Sequence, residues 1–448
     1  MDWKKMYQEK LVSADDAAKT VKSGDWVEYA FGVGASYAFE EALSKRQKEL
    51  TDVKIRCDIG AYPHFTLEND PNLETFTWNS WHVSAHDKKW VGNGLYYIPM
   101  KFHENPTMTR NNCVPDNVFV AMVSPMDKHG FFSWGAGNAS AMAAHETAQK
   151  NGGITILEVN KNMPRVLGGG EDCIHISQVN YVIEADTPLP ILAPALPSEI
   201  ESKIASYITP LLVDGACLQL GIGGVPNAVG TAIAGSDLKD LGVHTEMYVD
   251  AYLEMYKAGK ISGAYKNIDK YKQVFAFAMG SQELYEFIDD NPSVVAYAVD
   301  YTNDPRIIMQ IDNFVSINAC IEVDLYGQVA SETVGTRHIS GTGGQLDFVE
   351  GAFKSKNGQS FICMASSKEL KDGTRTSTIK NILTPGAIVT TPRMATHMIV
   401  TEYGIANLKG KSTWERAEAL VNIAHPDFRE ELIKQAEDQK IWRNSNKR

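Results

Sequence analysis

Residues 217–252 read CLQLGIGGVPNAVGTAIAGSDLKDLGVHTEMYVDAY. CLQLGI is a short apolar strand that runs into a glycine turn, Gly221-Ile222-Gly223-Gly224. PNAVGTAIAG has the small and apolar residues of a helix, and VHTEMYV is a second strand. One crossover helix leaves the two strands parallel, adjacent and about 4.8 Å apart. The glycine turn and Glu246 then share the carboxyl edge of the sheet, where open α/β sheets bind their ligands. Alternation groups Glu246 with His244 and Tyr248 on one face, with Val243, Thr245 and Met247 on the other. Turn amides at a helix start near Pro226 suit a phosphate or an oxyanion forming at an acyl carbon. A strand-end glutamate taken alone reads as a solvated carboxylate; aimed at such a turn, it is a candidate for covalent chemistry.

The same pattern occurs earlier in the chain. Gly24-Asp-Trp-Val-Glu-Tyr-Ala-Phe-Gly32-Val-Gly34 aligns with Gly215-Ala-Cys-Leu-Gln-Leu-Gly221-Ile-Gly223 so that Gly24 meets Gly215 and Gly32 meets Gly223. Either a common strand–glycine–helix unit recurs by chance or an α/β domain is duplicated. Further strands are expected at VKIRCDI, NVFVAMVS, GITILEVN and YVIEA in the first half, and at VVAYAVD, SINACIEVDLYG and AIVTT in the second. Helices are expected at SYAFEEALSKRQKEL, SAMAAHETAQKN, SQELYEFIDD and TWERAEALVNIAH. Four prolines in TPLPILAPALPSEIE mark an extended linker, and Ser198 with Glu201, like Ser412 with Glu415, forms a capping box that opens a helix. The expected division is therefore 1–187, a linker at 188–198, and 199–448, each half an open α/β domain with a mostly parallel sheet.

The chain has 448 residues, 43 Lys and Arg against 55 Asp and Glu, and a formal charge of −12. Such a chain has no general field for nucleic acid or an anionic membrane surface, so an anionic ligand needs local devices such as glycine-turn amides. The polar start MDWKKMYQEK is no signal peptide, and no apolar run reaches the length of a membrane span. The six cysteines stand singly, as free thiols of a reducing cytoplasm would. GIGGVP half-matches a dinucleotide fingerprint, but Pro226 stands at the third glycine and no acidic strand end follows in the expected ribose role. GIANLKGKS has its glycines one residue too far apart for a phosphate loop, and the sequence contains no G-x-S-x-G elbow. His82 and His86 in HVSAH lack the glutamate that a zinc motif carries, so no metal is expected.

GIGGVPNAV, HTEMYVD, SINACIEVDLYGQV, SGTGGQLDF, VTEYGIANLKGKS and IAHPDFREEL, in this order, resemble the acetyl-CoA hydrolase/transferase family, the family I CoA-transferases. VSPMDKHGFFSWG fits the same pattern, so the resemblance spans essentially the whole chain. HTEMYVDAY is most similar to the butyryl-CoA:acetate branch. The resemblance implies two similar CoA-transferase-type domains with the active site at their interface, and Glu246 as the nucleophile. It assigns Gly221, Ile222, Gly223, Gly224, Val225, Ile321, Gly343 and Gly344 to CoA or oxyanion contacts. Gly32, Val33, Gly34 and Glu402 fall to the acyl and carboxylate pocket. Implied too are acyl-CoA and short carboxylates (butyrate, acetate) as partners and a homo-oligomer. No permanently bound cofactor is implied: CoA enters as substrate and covalent intermediate. Other activities within reach are a short-chain acyl-CoA hydrolase and a 4-hydroxybutyrate- or propionate-type CoA-transferase.

Overall fold

The computed structural model describes residues 2–111, 115–192 and 196–445. Cys113 and, in the expected linker, residues 193–195 with Pro194 lie outside the described residues. The chain divides into two compact units. The first takes Met1–Ala193, Thr245–Asp250 and Lys272–Asn303; the second takes Pro194–His244, Ala251–Tyr271 and Asp304–Arg448. Among the described residues no helix is long and apolar enough to cross a membrane.

The first unit is built on seven strands: β1 (Trp26–Tyr29), β2 (Val53–Cys57), β3 (Phe76–Ser80), β4 (Leu95–Tyr97), β5 (Val118–Val123), β6 (Ile154–Asn160) and β7 (Tyr181–Ala185). They form one wholly parallel sheet in the order β7-β6-β5-β1-β2-β3-β4. Every residue of β5, VFVAMV, is buried, as a strand covered on both faces must be. Helix α1 (Ala38–Ser44) is much shorter than SYAFEEALSKRQKEL suggests. Its start is held by the buried Glu158 of β6, whose carboxylate accepts the amides of Ala38 and Phe39 at 3.1 and 3.2 Å and the hydroxyl of Ser36. A carboxylate there also meets the positive end of the helix dipole. In the same unit Gln273–Ala278 pairs in parallel with Val294–Ala296. VVAYAVD is thus a strand only to Ala296, and Val299–Thr302 turns helical.

The second unit carries β8 (Cys217–Leu220), the start of β9 (Gly242–Tyr248), β10 (Phe314–Ala319), β11 (Gln359–Cys363), β12 (Met398–Thr401) and β13 (Gly404–Asn407). Their order is β13-β12-β11-β10-β8-β9, parallel except for the β12–β13 hairpin. The expected capping box is formed at Ser198, opening α2 (Glu199–Ile208), and the residues 217–248 fold as read, β8 and β9 pairing in parallel across α3 (Gly224–Ala234). The second box, at Ser412, opens Thr413–Asn422. Two expectations fail. SINACIEVDLYG breaks at Cys320-Ile321 into Phe314–Ala319 and Glu322–Asp324, so Ile321 sits in the gap and not on a strand. AIVTT forms no strand and contributes one bridge, Thr391 to Val329.

The duplicated-domain alternative gains from the topology. The orders β7-β6-β5-β1-β2 and β12-β11-β10-β8-β9 are the same threading, first strand inside and second strand to one side. Gly24 and Gly215 enter the first strand of each half at φ 88° and 74°, and Gly32 and Gly223 leave it at φ 53° and 123°. All four lie in the left-handed region that favours glycine.

Candidate active site

Glu246 is the fifth residue of β9, half-buried between the fully buried Thr245 and the buried Met247. Its carboxylate is fixed within the first unit: Asn303 Nδ2 donates to Glu246 Oε2 at 2.6 Å. Asn303 is fully buried and caps the short helix Val299–Thr302, with Thr302 Oγ1 donating to its Oδ1 at 3.1 Å. That helix is itself anchored, since Val299 N donates to Ala139 O at 2.9 Å and Ala139 N to Ala276 O at 2.9 Å. A neutral amide orients the carboxylate without neutralising it, which is what a nucleophile requires.

The Gly32–Val33–Gly34 turn, in the same unit, is a buried 3-10 turn at the carboxyl end of β1. A side chain on Gly32 would meet Met279 Cε at 3.8 Å and Phe277 at 4.0 Å. Beside it the rings of Phe31 and Phe277 lie 4.3 Å apart, and those of Phe31 and Phe102 4.8 Å apart. The turn therefore faces an apolar wall suited to a short alkyl chain. Gly32 N donates to Asp58 O at 3.0 Å, which ties the turn to the end of β2. Asp58 is buried, and burial together with the charges of Glu246 and Asp87 pushes its carboxyl well above the usual range.

In the second unit, Gly221 N donates to Ile317 O at 2.8 Å, which sets the GIGG turn beside β10. The amides of Ile222 and Gly223 find no acceptor among the described residues, and Ile222 is 47% exposed. The helix starts earlier than Pro226 suggests: Gly223 is its cap, and Gly224 and Val225 already belong to its first turn. A Cβ on Gly224 would lie 1.6 Å from Glu201 Oε1 of α2, so the Glu201 carboxylate, which accepts the Ser198 amide at 2.7 Å, would have to move. Ile321 stands two residues past the end of β10, so the neighbouring parallel strands β8 and β10 lead toward Gly221 and Ile321 at the same edge, and Ile321 N donates to Ala330 O at 2.9 Å. Gly343, at φ 50°, and Gly344 open α4 (Gln345–Lys354), giving a second helix start with turn amides. Glu402 is engaged by Ser366, whose amide and hydroxyl donate to its two oxygens at 2.9 and 2.5 Å.

Sequence reading missed Asn303, Asp58, Phe277 and Met279. Asn303 leaves no local signal, lying 57 residues from its partner in a stretch, YTNDP, that reads as a turn. Asp58 did leave one: an acid closing an apolar strand, VKIRCD, at the ligand-binding edge.

The N-terminal and C-terminal domain profiles of the acetyl-CoA hydrolase/transferase family match residues 1–193 and 280–436. The probable butyrate:acetyl-CoA coenzyme A-transferase of Syntrophomonas wolfei is 66% identical over 442 residues, covering 98% of each chain. The butyryl-CoA:acetate CoA-transferase of Anaerostipes caccae is 50% identical over 452 aligned residues, covering 100% of each. The crystal structure of RipA from Yersinia pestis superposes with a TM-score of 0.90 at 35% identity, covering 98% of this chain and 100% of that one.

Proposed function

The chain belongs to the acetyl-CoA hydrolase/transferase family, and from that premise we propose that it is a CoA-transferase moving CoA from butyryl-CoA to acetate through Glu246. The observation that carries the role of Glu246 is its fixation by Asn303 at 2.6 Å in the unit that holds the Gly32 turn and its apolar wall. A carboxylate oxygen of Glu246 attacks the thioester carbonyl, and the tetrahedral oxyanion collapses to expel CoA thiolate, leaving a mixed anhydride. The thiolate then attacks the glutamyl carbonyl carbon, butyrate departs with the anhydride oxygen, and a glutamyl-CoA thioester remains. Acetate runs the same steps in reverse, giving acetyl-CoA and restoring the carboxylate. No net proton moves, so the site needs oriented carboxylates and oxyanion donors and no general base.

The Ile222 amide is the proposed first oxyanion donor and the Gly343 amide the second, with Gly221–Val225, Ile321 and Gly344 along CoA. One such donor typically contributes about 3 kcal/mol. Glu402 belongs to the same proposal as a residue of the carboxylate pocket, anchored through Ser366. A cytoplasmic location and a homo-oligomeric state complete the reading. Steady-state kinetics test it: acetyl-CoA should form from butyryl-CoA only when acetate is present, with the parallel double-reciprocal lines of a ping-pong mechanism. Thiol release at the same rate without acetate would make the protein a hydrolase instead.

A further inference from the structure

We propose that Asp58 recognises the acceptor acid: its carboxylic acid group donates a hydrogen bond to a carboxylate oxygen of the short-chain acid that reacts at Glu246. The proposal rests on the transferase reading above and adds to it the residue that admits the second substrate. Asp58 follows the last residue of β2, at the carboxyl edge of the sheet, and is 4% exposed. Its carbonyl accepts the Gly32 amide at 3.0 Å, so it is built into the turn that faces Phe277 and Met279. Its Oδ1 is buried and has no hydrogen-bond partner among the described residues, a state that buried polar atoms seldom keep without a reason. The next residue, Ile59, holds φ at 47°, a conformation that a β-branched residue adopts only under constraint and that clusters at ligand sites.

The charges around Asp58 explain why it can donate. The groups acting on it are Glu246 of β9, Asp87 of the segment after β3, and Glu28 of β1, with the Ile59 amide as the opposing influence. Glu28 is paired with Arg56 at 2.5 Å. Asp87 is kept ionised despite its burial, because His64 Nε2 lies 2.6 Å from its Oδ1 and the Ser84 amide donates to Oδ2 at 2.7 Å. A carboxyl out of water beside other carboxylates is held toward its neutral form. Only in that form is it a donor. Acetate arrives when Glu246 is the uncharged CoA thioester, and a neutral acid at Asp58, favoured by burial and by Asp87, offers one oxygen of the acetate a hydrogen bond while the alkyl group reaches the apolar wall.

The experiment compares the wild type, Asp58→Ala and Asp58→Asn, reading the KM for acetate and for butyryl-CoA between pH 6 and 9, together with CoA attachment to Glu246 from butyryl-CoA alone. Asp58→Ala should raise the KM for acetate by about tenfold or more, with a smaller change for butyryl-CoA, as expected for loss of a hydrogen bond to a charged group. Asp58→Asn keeps a donor and should rescue most of that loss. Because burial raises the Asp58 carboxyl, any ionisation of it with rising pH should raise the wild-type KM for acetate, and Asp58→Asn should lack that contribution. An acetate KM in Asp58→Ala within twofold of wild type, or an Asp58→Asn variant as impaired toward acetate as Asp58→Ala, overturns the assignment while CoA still attaches to Glu246. Failure of the wild type to acquire CoA at Glu246 overturns the transferase reading and this inference with it.

Discussion

Glu246 and Asn303 are 57 residues apart in the chain and 2.6 Å apart in space, so a buried amide from a distant segment helps to aim the proposed nucleophile. Asn303→Ala removes a hydrogen bond to a charged group and should lower kcat/KM by about tenfold to a hundredfold, leaving the fold intact by circular dichroism. Asn303→Asp should do more harm. Two carboxylates at that distance share a proton at neutral pH, and the nucleophile is lost. Activity of Asn303→Asp at or above that of Asn303→Ala would show that the contact does not orient Glu246. Replacing Glu246 itself by Gln should leave CoA binding and remove transfer, because an amide is a poor nucleophile. Glu246→Asp should also be badly impaired, since one methylene withdraws the carboxylate by about 1.5 Å and near-attack geometry tolerates little of that. Near-normal turnover in the Asp variant would sink the geometric argument.

Two elements carry their own tests. Glu158 holds the start of α1, and from α1 Glu40 reaches onward to Phe65–Glu68, accepting the Phe65 and Thr66 amides at 3.0 and 2.9 Å and the Thr66 hydroxyl at 2.7 Å. Burial outweighs those bonds and pushes the Glu40 carboxyl up to about 7. A raised carboxyl stabilises the folded state below the unfolded value near 4.5, and that contribution is lost as pH rises to about 7. Relative to wild type, Glu40→Gln should therefore gain on the order of 3 kcal/mol of unfolding free energy between pH 4.5 and 7.5. Parallel stability curves for the two proteins in urea titrations would refute it. In α3 the cap Gly223 stands at φ 123° with nothing within 4 Å of an added Cβ, so Gly223→Ala meets strain and no clash. It should cost about 1–3 kcal/mol or shift the turn, and CoA affinity, followed by calorimetry, should weaken with it. Unchanged affinity and stability would show that the turn does not depend on this conformation.

Across the whole molecule, what could be read from the sequence follows the range of the interaction that decides each feature. The two strand–glycine–helix units were readable because period, glycine and capping signals all lie within about 35 residues. Gln273–Ala278 escaped notice because QVFAFA is wholly buried and shows no alternation. AIVTT looks like a strand by composition yet pairs through one bridge, since β-propensity needs a neighbouring strand to express it. Glu246 and the GIGG turn were found from local pattern and resemblance, whereas Asn303, Asp58 and the Phe31–Phe277 wall come together only through tertiary packing. Even the glycines divide this way: Gly223 is favoured by its own backbone, whereas Gly224 is crowded by the end of the Glu201 side chain from another helix.

The central claim is that Glu246 carries CoA covalently during turnover. Peptide mass spectrometry after mixing the protein with butyryl-CoA and no acceptor tests it most directly. A CoA adduct on the peptide containing Glu246, discharged as acetyl-CoA when acetate is added, is the expected result. Acetate-dependent formation of acetyl-CoA with no adduct on that peptide, under conditions that trap a thioester, would contradict the claim.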